Sequence, residues 1–142
     1  MKYDVIIVGA GPAGLFSAYE LISNNKKLRI ALLDKGSSVE HRVCPMNKNG
    51  IPCKNCNPCA ILAGYGGAGT FSDGKLNTLV KDKEFRMKKV FEIFVSCGAP
   101  AEIMYVHNPH IGTDLLRKVV VNMREKIKKD DHSAQMVSKM LH

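Results

Sequence analysis

The 142-residue sequence predicts an α/β fold, a parallel sheet with flanking helices, on three observations. Residues 3–8, YDVIIV, form a short apolar run rich in β-branched side chains, and residues 28–34, LRIALLD, form a second apolar run. Runs of this kind are strands buried in a parallel sheet. Between them, in residues 12–24, Leu15, Ala18 and Ile22 recur at helical spacing. The turn joining the first strand to that helix reads GAGPAG, a G-x-G-x-x-G in the setting that gives the hexapeptide meaning. Strand, helix and strand make one βαβ unit of ordinary length, and the glycine turn makes the predicted fold Rossmann-like.

The remaining elements follow in order. NNKK ends the first helix, with asparagine able to take the left-handed cap. Residues 36–77 show no clear periodicity and hold four of the five cysteines and most of the glycines, so they are expected to form an ordered excursion. A helix is expected from Asp82, its N-cap, with Met87, Val90, Phe91 and Phe94 on one face and a Glu84–Lys88 pair on the other. CGAP ends it at Gly98, and Cys97 reads as a buried hydrophobe. EIMYV, residues 102–106, is a candidate strand. A last helix begins at Thr113 or Asp114, buries Leu116, Val119, Val120, Met123 and Ile127, and carries Lys126, Lys128 and Lys129 at its negative end. One FAD/NAD(P)-type domain is thus expected over residues 1–129, followed by a tail, residues 130–142, in which Met136, Val137, Met140 and Leu141 make at most a short amphipathic turn. A doubly wound sheet needs another parallel strand at that point. The tail offers none, so the fold is expected to be incomplete at its C-terminus.

Composition narrows the class. The chain is 45% hydrophobic and 24% charged, ordinary for a globular protein, and has no apolar run of membrane-spanning length. Asp4 and the glycines from Gly9 break any signal-peptide pattern, so a cytoplasmic location and no membrane partner are expected. In that compartment clustered cysteines are metal ligands or reactive thiols more often than disulfides. The net charge of +8 falls mainly on outer helix faces without interleaved aromatic residues, so nucleic acid is not the expected partner.

In the glycine turn, Gly9 permits the bend, Gly11 lets backbone approach a diphosphate, and Gly14 lets helix pack on strand. Free N–H groups and the helix dipole then face the phosphates, and Pro12 fits the first helical turn. Asp34 lies 25 residues after Gly9, at the distance where an acid hydrogen-bonds a ribose hydroxyl and repels a 2′-phosphate. The predicted nucleotide site comprises Gly9, Gly11, Pro12, Ala13 and Gly14 with Asp34 and Lys35.

DVIIVGAGPAGL with LLDKG resembles the N-terminus of FAD-dependent oxidoreductases of the two-dinucleotide-binding-domain type. CPMNKNGIPCKNCNPCAILAGYGGAGTFSDGKLN and HIGTDLL are similar to strings of a family of bacterial NAD(P)/FAD-dependent dehydrogenases, and the resemblance covers about residues 1–129. It implies FAD contacts at Gly9, Gly11, Gly14 and Asp34, and hydride or electron transfer through the flavin to or from a small redox substrate. NAD(P)H is a candidate electron donor. Members of that family are several times longer, and the remainder would supply the rest of the flavin domain and a substrate domain. By resemblance to other flavoproteins Arg42 reaches the diphosphate; as a residue it reads equally as a surface arginine.

Cys53, Cys56 and Cys59 form C-x2-C-x2-C, with Cys44 nine residues upstream. Three readings stand: an iron–sulfur cluster or zinc held by four thiolates, a dithiol exchanging electrons with the flavin, or unliganded structural thiols. GYGGAGTFSDGKLN, with Gly64, Gly66, Gly67, Gly69 and Gly74 and the polar Ser72, Asp73, Lys75 and Asn77, is expected to pack against FAD near the ribityl chain or the isoalloxazine. Its alternative is a flexible linker. His107 and His110 are either proton donors or metal ligands, or local hydrogen-bonding residues. The function expected is an FAD-dependent oxidoreductase. The alternative is a truncated, non-catalytic fragment that binds dinucleotide or metal.

Overall fold

The computed structural model describes residues 2–76 and 81–130. Strand β1 (Val5–Val8) and strand β2 (Ile30–Leu33) pair in parallel, Val5 opposite Ile30 and Val8 opposite Leu33. Helix α1 (Pro12–Asn24) connects them, so the βαβ unit stands where the sequence puts it. Its end differs: Asn25 is extended, not left-handed, and its N–H closes the last turn on the Leu21 carbonyl. Helices α2 (Pro45–Asn49), α3 (Arg86–Ser96) and α4 (Thr113–Asp130) follow, with 3-10 turns at Val39–His41, Ala68–Phe71 and Ala101–Met104.

The core lies where α1 packs against the sheet and against α4. Leu15, Ala18 and Ile22 of α1 meet Val119, Val120, Met123 and Ile127 of α4, all of them buried. Burying each large aliphatic contributes about 1.5–3 kcal/mol, which holds α4 against α1. Among the described residues nothing covers the opposite face of β1: Ile6 is 62% exposed and Val8 77% exposed, whereas the sequence predicts a buried strand.

Three further expectations are corrected. Residues 102–106 do not form a strand; Ala101–Met104 is a 3-10 turn that drops Ile103 into the core, with the Tyr105 and Val106 N–H groups closing on Glu102. Helix α3 starts at Arg86, after Phe85 in the left-handed region. Asp82 still does the capping: its carboxylate accepts the N–H groups of Arg86 at 2.8 Å and Met87 at 2.9 Å. Glu84 pairs with Arg86 instead of Lys88, and Lys88 reaches Glu92. Cys97 is buried as expected. Asn77 and the tail residues Met136, Val137, Met140 and Leu141 lie outside the described residues.

Candidate functional site

The first site residues follow directly from β1. Gly9 bends the chain with φ of +101°, and its N–H bonds the Leu33 carbonyl of β2 at 2.7 Å. Gly14 must be glycine: a Cβ there would lie 1.9 Å from the Gly9 carbonyl oxygen. Gly11 is different. Its φ is −72°, open to any residue, and the nearest protein atom to an added Cβ is the Gly67 Cα at 4.0 Å. The fold itself makes no demand for glycine at that position. Gly11 is also the N-cap of α1 and offers no side-chain cap. Among the described residues the N–H groups of Gly11, Ala13 and Gly14 meet no protein acceptor, as the first turn of a helix dictates. Pro12 and Ala13 are exposed beside them.

Asp34, at the end of β2, is tied into this turn. Its Oδ2 accepts the Ala10 N–H and its Oδ1 accepts the Gly36 N–H, both at 2.8 Å. Each oxygen keeps a second lone pair for a ligand hydroxyl. Gly9, Asp34 and Lys35 line one cavity of about 580 Å³ together with Val8, Leu33, Cys59, Leu62 and Ala63. The volume falls within the range of small-molecule sites, about 300–1,000 Å³.

The excursion folds back on the turn. The Gly66 N–H bonds the Ala10 carbonyl at 2.8 Å, and Gly67 lies against Gly11 and Pro12, where a Cβ would come within 3.0 Å of the proline ring. Gly66 and Gly67 are therefore explained by the protein's own packing. The organiser is Arg42. It is 1% exposed and does not point at the turn. Its Nε donates to the Ala60 carbonyl, Nη2 to Ile61, and Nη1 to Tyr65, Gly67 and the Thr70 hydroxyl, at 2.6–3.0 Å. With its donors engaged in the loop, Arg42 is not the diphosphate ligand that resemblance implied. Burial pushes its pKa down, while the Asp34 carboxylate and Cys59 push it back up. The guanidinium groups of Arg42 and Arg117 both lie over the Phe71 ring, 4.9 Å and 5.2 Å from its centre. Tyr65, whose hydroxyl donates to the Leu32 carbonyl at 3.0 Å, fastens the same loop to β2.

The other predicted residues scatter. The Ser72 hydroxyl donates to the Gly69 carbonyl and accepts the Gly74 N–H. With Cys44, Arg42, Phe71 and Arg117 it lines a second cavity of about 300 Å³. Gly69 has no protein atom near an added Cβ. Lys75 pairs with Asp73 in solvent. His110 bonds the Asp73 carbonyl, and His107 is exposed. All five cysteines are free thiols. Among the described residues no three His, Cys, Asp or Glu side chains gather where a metal could be held. The expected cluster of Cys44, Cys53, Cys56 and Cys59 is not assembled, because Cys44 and Cys59 line different cavities and Cys53 and Cys56 face solvent. Cys59 stands apart: the N–H groups of Leu62 and then Ile61 hold its thiol pKa below the ordinary value, with a smaller contribution from Arg42. Val8, Leu33, Leu62 and Ala63 are not singled out by the sequence, since nothing in an apolar residue at a strand end or in a loop announces that it faces a cavity.

A glycine turn with free amides, an acid locked beside it and an apolar cavity stand together at one end of the small parallel sheet, the place where α/β proteins that bind dinucleotides hold them. Comparison with known proteins points the same way. Residues 4–42 match the family model described as FAD binding domain. The match supports FAD as the nucleotide and flavoprotein oxidoreductases as the class. The chain is 40% identical over 129 residues to an uncharacterized protein of Clostridium beijerinckii, covering 91% of this chain and 24% of that protein. It is 44% identical over 43 residues to an uncharacterized protein of Methanosarcina barkeri, covering 30% of this chain and 11% of that one. The chain thus spans about a quarter of the length of the first relative. Among the described residues no helix is long and apolar enough to cross a membrane.

Proposed function

We propose that this chain is the FAD-binding portion of an oxidoreductase. The observation that carries the reading is Gly11, a glycine the fold does not require, whose N–H, with those of Ala13 and Gly14, has no protein acceptor among the described residues. In this reading the N–H groups of Gly11, Ala13 and Gly14 donate to the diphosphate, and the dipole of α1 adds to their attraction. Asp34 accepts a ribose hydroxyl with its remaining lone pairs, held rigid by Ala10 and Gly36. FAD, when bound, supplies the hydride or electron transfer. NAD(P)H is proposed as the donor, a small molecule as the redox substrate and the cytoplasm as the compartment; no partner membrane or nucleic acid enters. Titrating the full chain into FAD and following flavin fluorescence tests the reading: saturable quenching supports it, and unchanged fluorescence at high protein concentration refutes it.

A second reading, binding without turnover, is favoured by the open face of β1, where Ile6 and Val8 lie uncovered among the described residues. NADH oxidation by the FAD-loaded chain separates the two. Steady turnover with an artificial acceptor supports an oxidoreductase, and flavin binding without turnover supports a binding unit.

A further inference from the structure

The cavity beside Asp34 has a wall that neither the glycine turn nor the acid explains. That wall is the turn through Cys59, Leu62 and Ala63, and it is built rigidly. The Ala63 N–H bonds the Cys59 carbonyl at 2.9 Å. The buried Arg42 guanidinium grips the Ala60 carbonyl at 2.9 Å and the Ile61 carbonyl at 2.6 Å. Gly36 lets this turn lie flat on the backbone just past Asp34: a Cβ there would sit 2.4 Å from the Ala63 carbonyl carbon. The wall therefore has no room to withdraw toward β2.

The mouth of the cavity is apolar and open. Val8 is 77% exposed and Leu62 is 71% exposed, and both line the cavity with Gly9 and Asp34. Large apolar side chains left uncovered around a concave polar site mark a ligand surface. Their chemistry fits a flat heteroaromatic ring, and the ribose hydroxyls that Asp34 can accept fix which ring: the adenine of the nucleotide.

We infer that Cys59 is a contact of the adenosine half of the nucleotide, so that an occupied site and a modified Cys59 thiol exclude one another. This rests on the FAD reading above. It also gives the cysteine-rich excursion a position. FAD carries its isoalloxazine on the far side of the diphosphate from its adenosine, so a thiol beside Asp34 is placed to sense occupancy and not to exchange electrons with the ring. The neighbouring amides of Leu62 and Ile61 favour the thiolate of Cys59, the form that reacts with an electrophile.

The test is iodoacetamide labelling of the full chain with and without FAD, read cysteine by cysteine by peptide mass spectrometry. The sulfur displaces iodide, forming the S–CH2 bond. Saturating FAD is expected to slow labelling of Cys59 by at least about tenfold, a difference of about 1.4 kcal/mol in accessibility, and to leave exposed Cys53 unchanged. In the converse measurement, protein alkylated without FAD loses FAD affinity by at least about tenfold, while protein alkylated under saturating FAD and then freed of it keeps its affinity. FAD binding with no protection of Cys59 overturns this inference alone. Failure of the unmodified chain to bind FAD overturns the functional reading and this inference with it.

Discussion

Two glycines of one turn carry different burdens, and substituting each by alanine separates fold from ligand. In Gly14→Ala the new methyl lies 1.9 Å from the Gly9 carbonyl oxygen, more than an ångström inside van der Waals contact, and the obstacle is backbone. Relief requires α1 to lift from β1, at a cost of about 3 kcal/mol, or about 10 °C in Tm for a domain of this size. In Gly11→Ala nothing lies closer than 4.0 Å and φ is −72°. The gain from restricting the unfolded chain, about 0.4–1 kcal/mol, roughly offsets the loss of a preferred N-cap residue. Stability should stay within about 1 kcal/mol of the parent. The methyl would nonetheless stand where the diphosphate approaches. Displacing two hydrogen bonds to a charged group, at about 1.5–3 kcal/mol each, should weaken FAD binding at least about 100-fold. Thermal melts and FAD fluorescence titrations of the two variants measure both quantities. If Gly11→Ala melts as low as Gly14→Ala, or binds FAD like the parent, the division of labour is wrong.

Arg42→Met leaves the Ala60, Ile61, Tyr65 and Gly67 carbonyls and the Thr70 hydroxyl without their buried donor. At about 1–3 kcal/mol per unsatisfied group, a loss of at least about 3 kcal/mol is expected in urea unfolding, and a loss under about 1 kcal/mol contradicts the clamp. Glu40 accepts two hydrogen bonds from Arg124, which hold its pKa at about 2 against an ordinary 4.5. Because the folded pKa is the lower one, the stabilisation is full above the ordinary value and fades as pH falls toward 2. The Glu40 side chain is 40% exposed, so solvent screening keeps the pair under about 1 kcal/mol. The Tm gap between the parent and Glu40→Gln should accordingly close between pH 5 and pH 2; a gap constant with pH contradicts the pairing.

The βαβ unit was legible because its signals are local. β-branched runs, helical spacing of Leu15, Ala18 and Ile22, and glycines at fixed offsets each act within a few residues. Asp34 was legible for the same reason, its distance from Gly9 being set by one helix and one strand. Long-range partners left no such trace. Arg42 follows the second strand in sequence and could reach toward a diphosphate. Only the fold of residues 60–70 shows that its hydrogen bonds close a loop. The cysteine spacing suggested a common ligand, yet the Arg42 clamp draws Cys59 to the cavity beside Asp34 while Cys44 opens α2 beside the other. EIMYV carries a strand-like composition, but Pro100 before it and the Glu102 carbonyl closing behind it make a turn instead.

The amides at the start of α1 are proposed to hold the diphosphate of FAD. Backbone NMR of the 15N-labelled chain during FAD addition examines those atoms directly. The Gly11, Ala13 and Gly14 resonances should show the largest shifts, saturating together with Ala10 beside Asp34. If FAD saturates the protein while those three resonances stay in place, the nucleotide is bound elsewhere and the turn is only a turn.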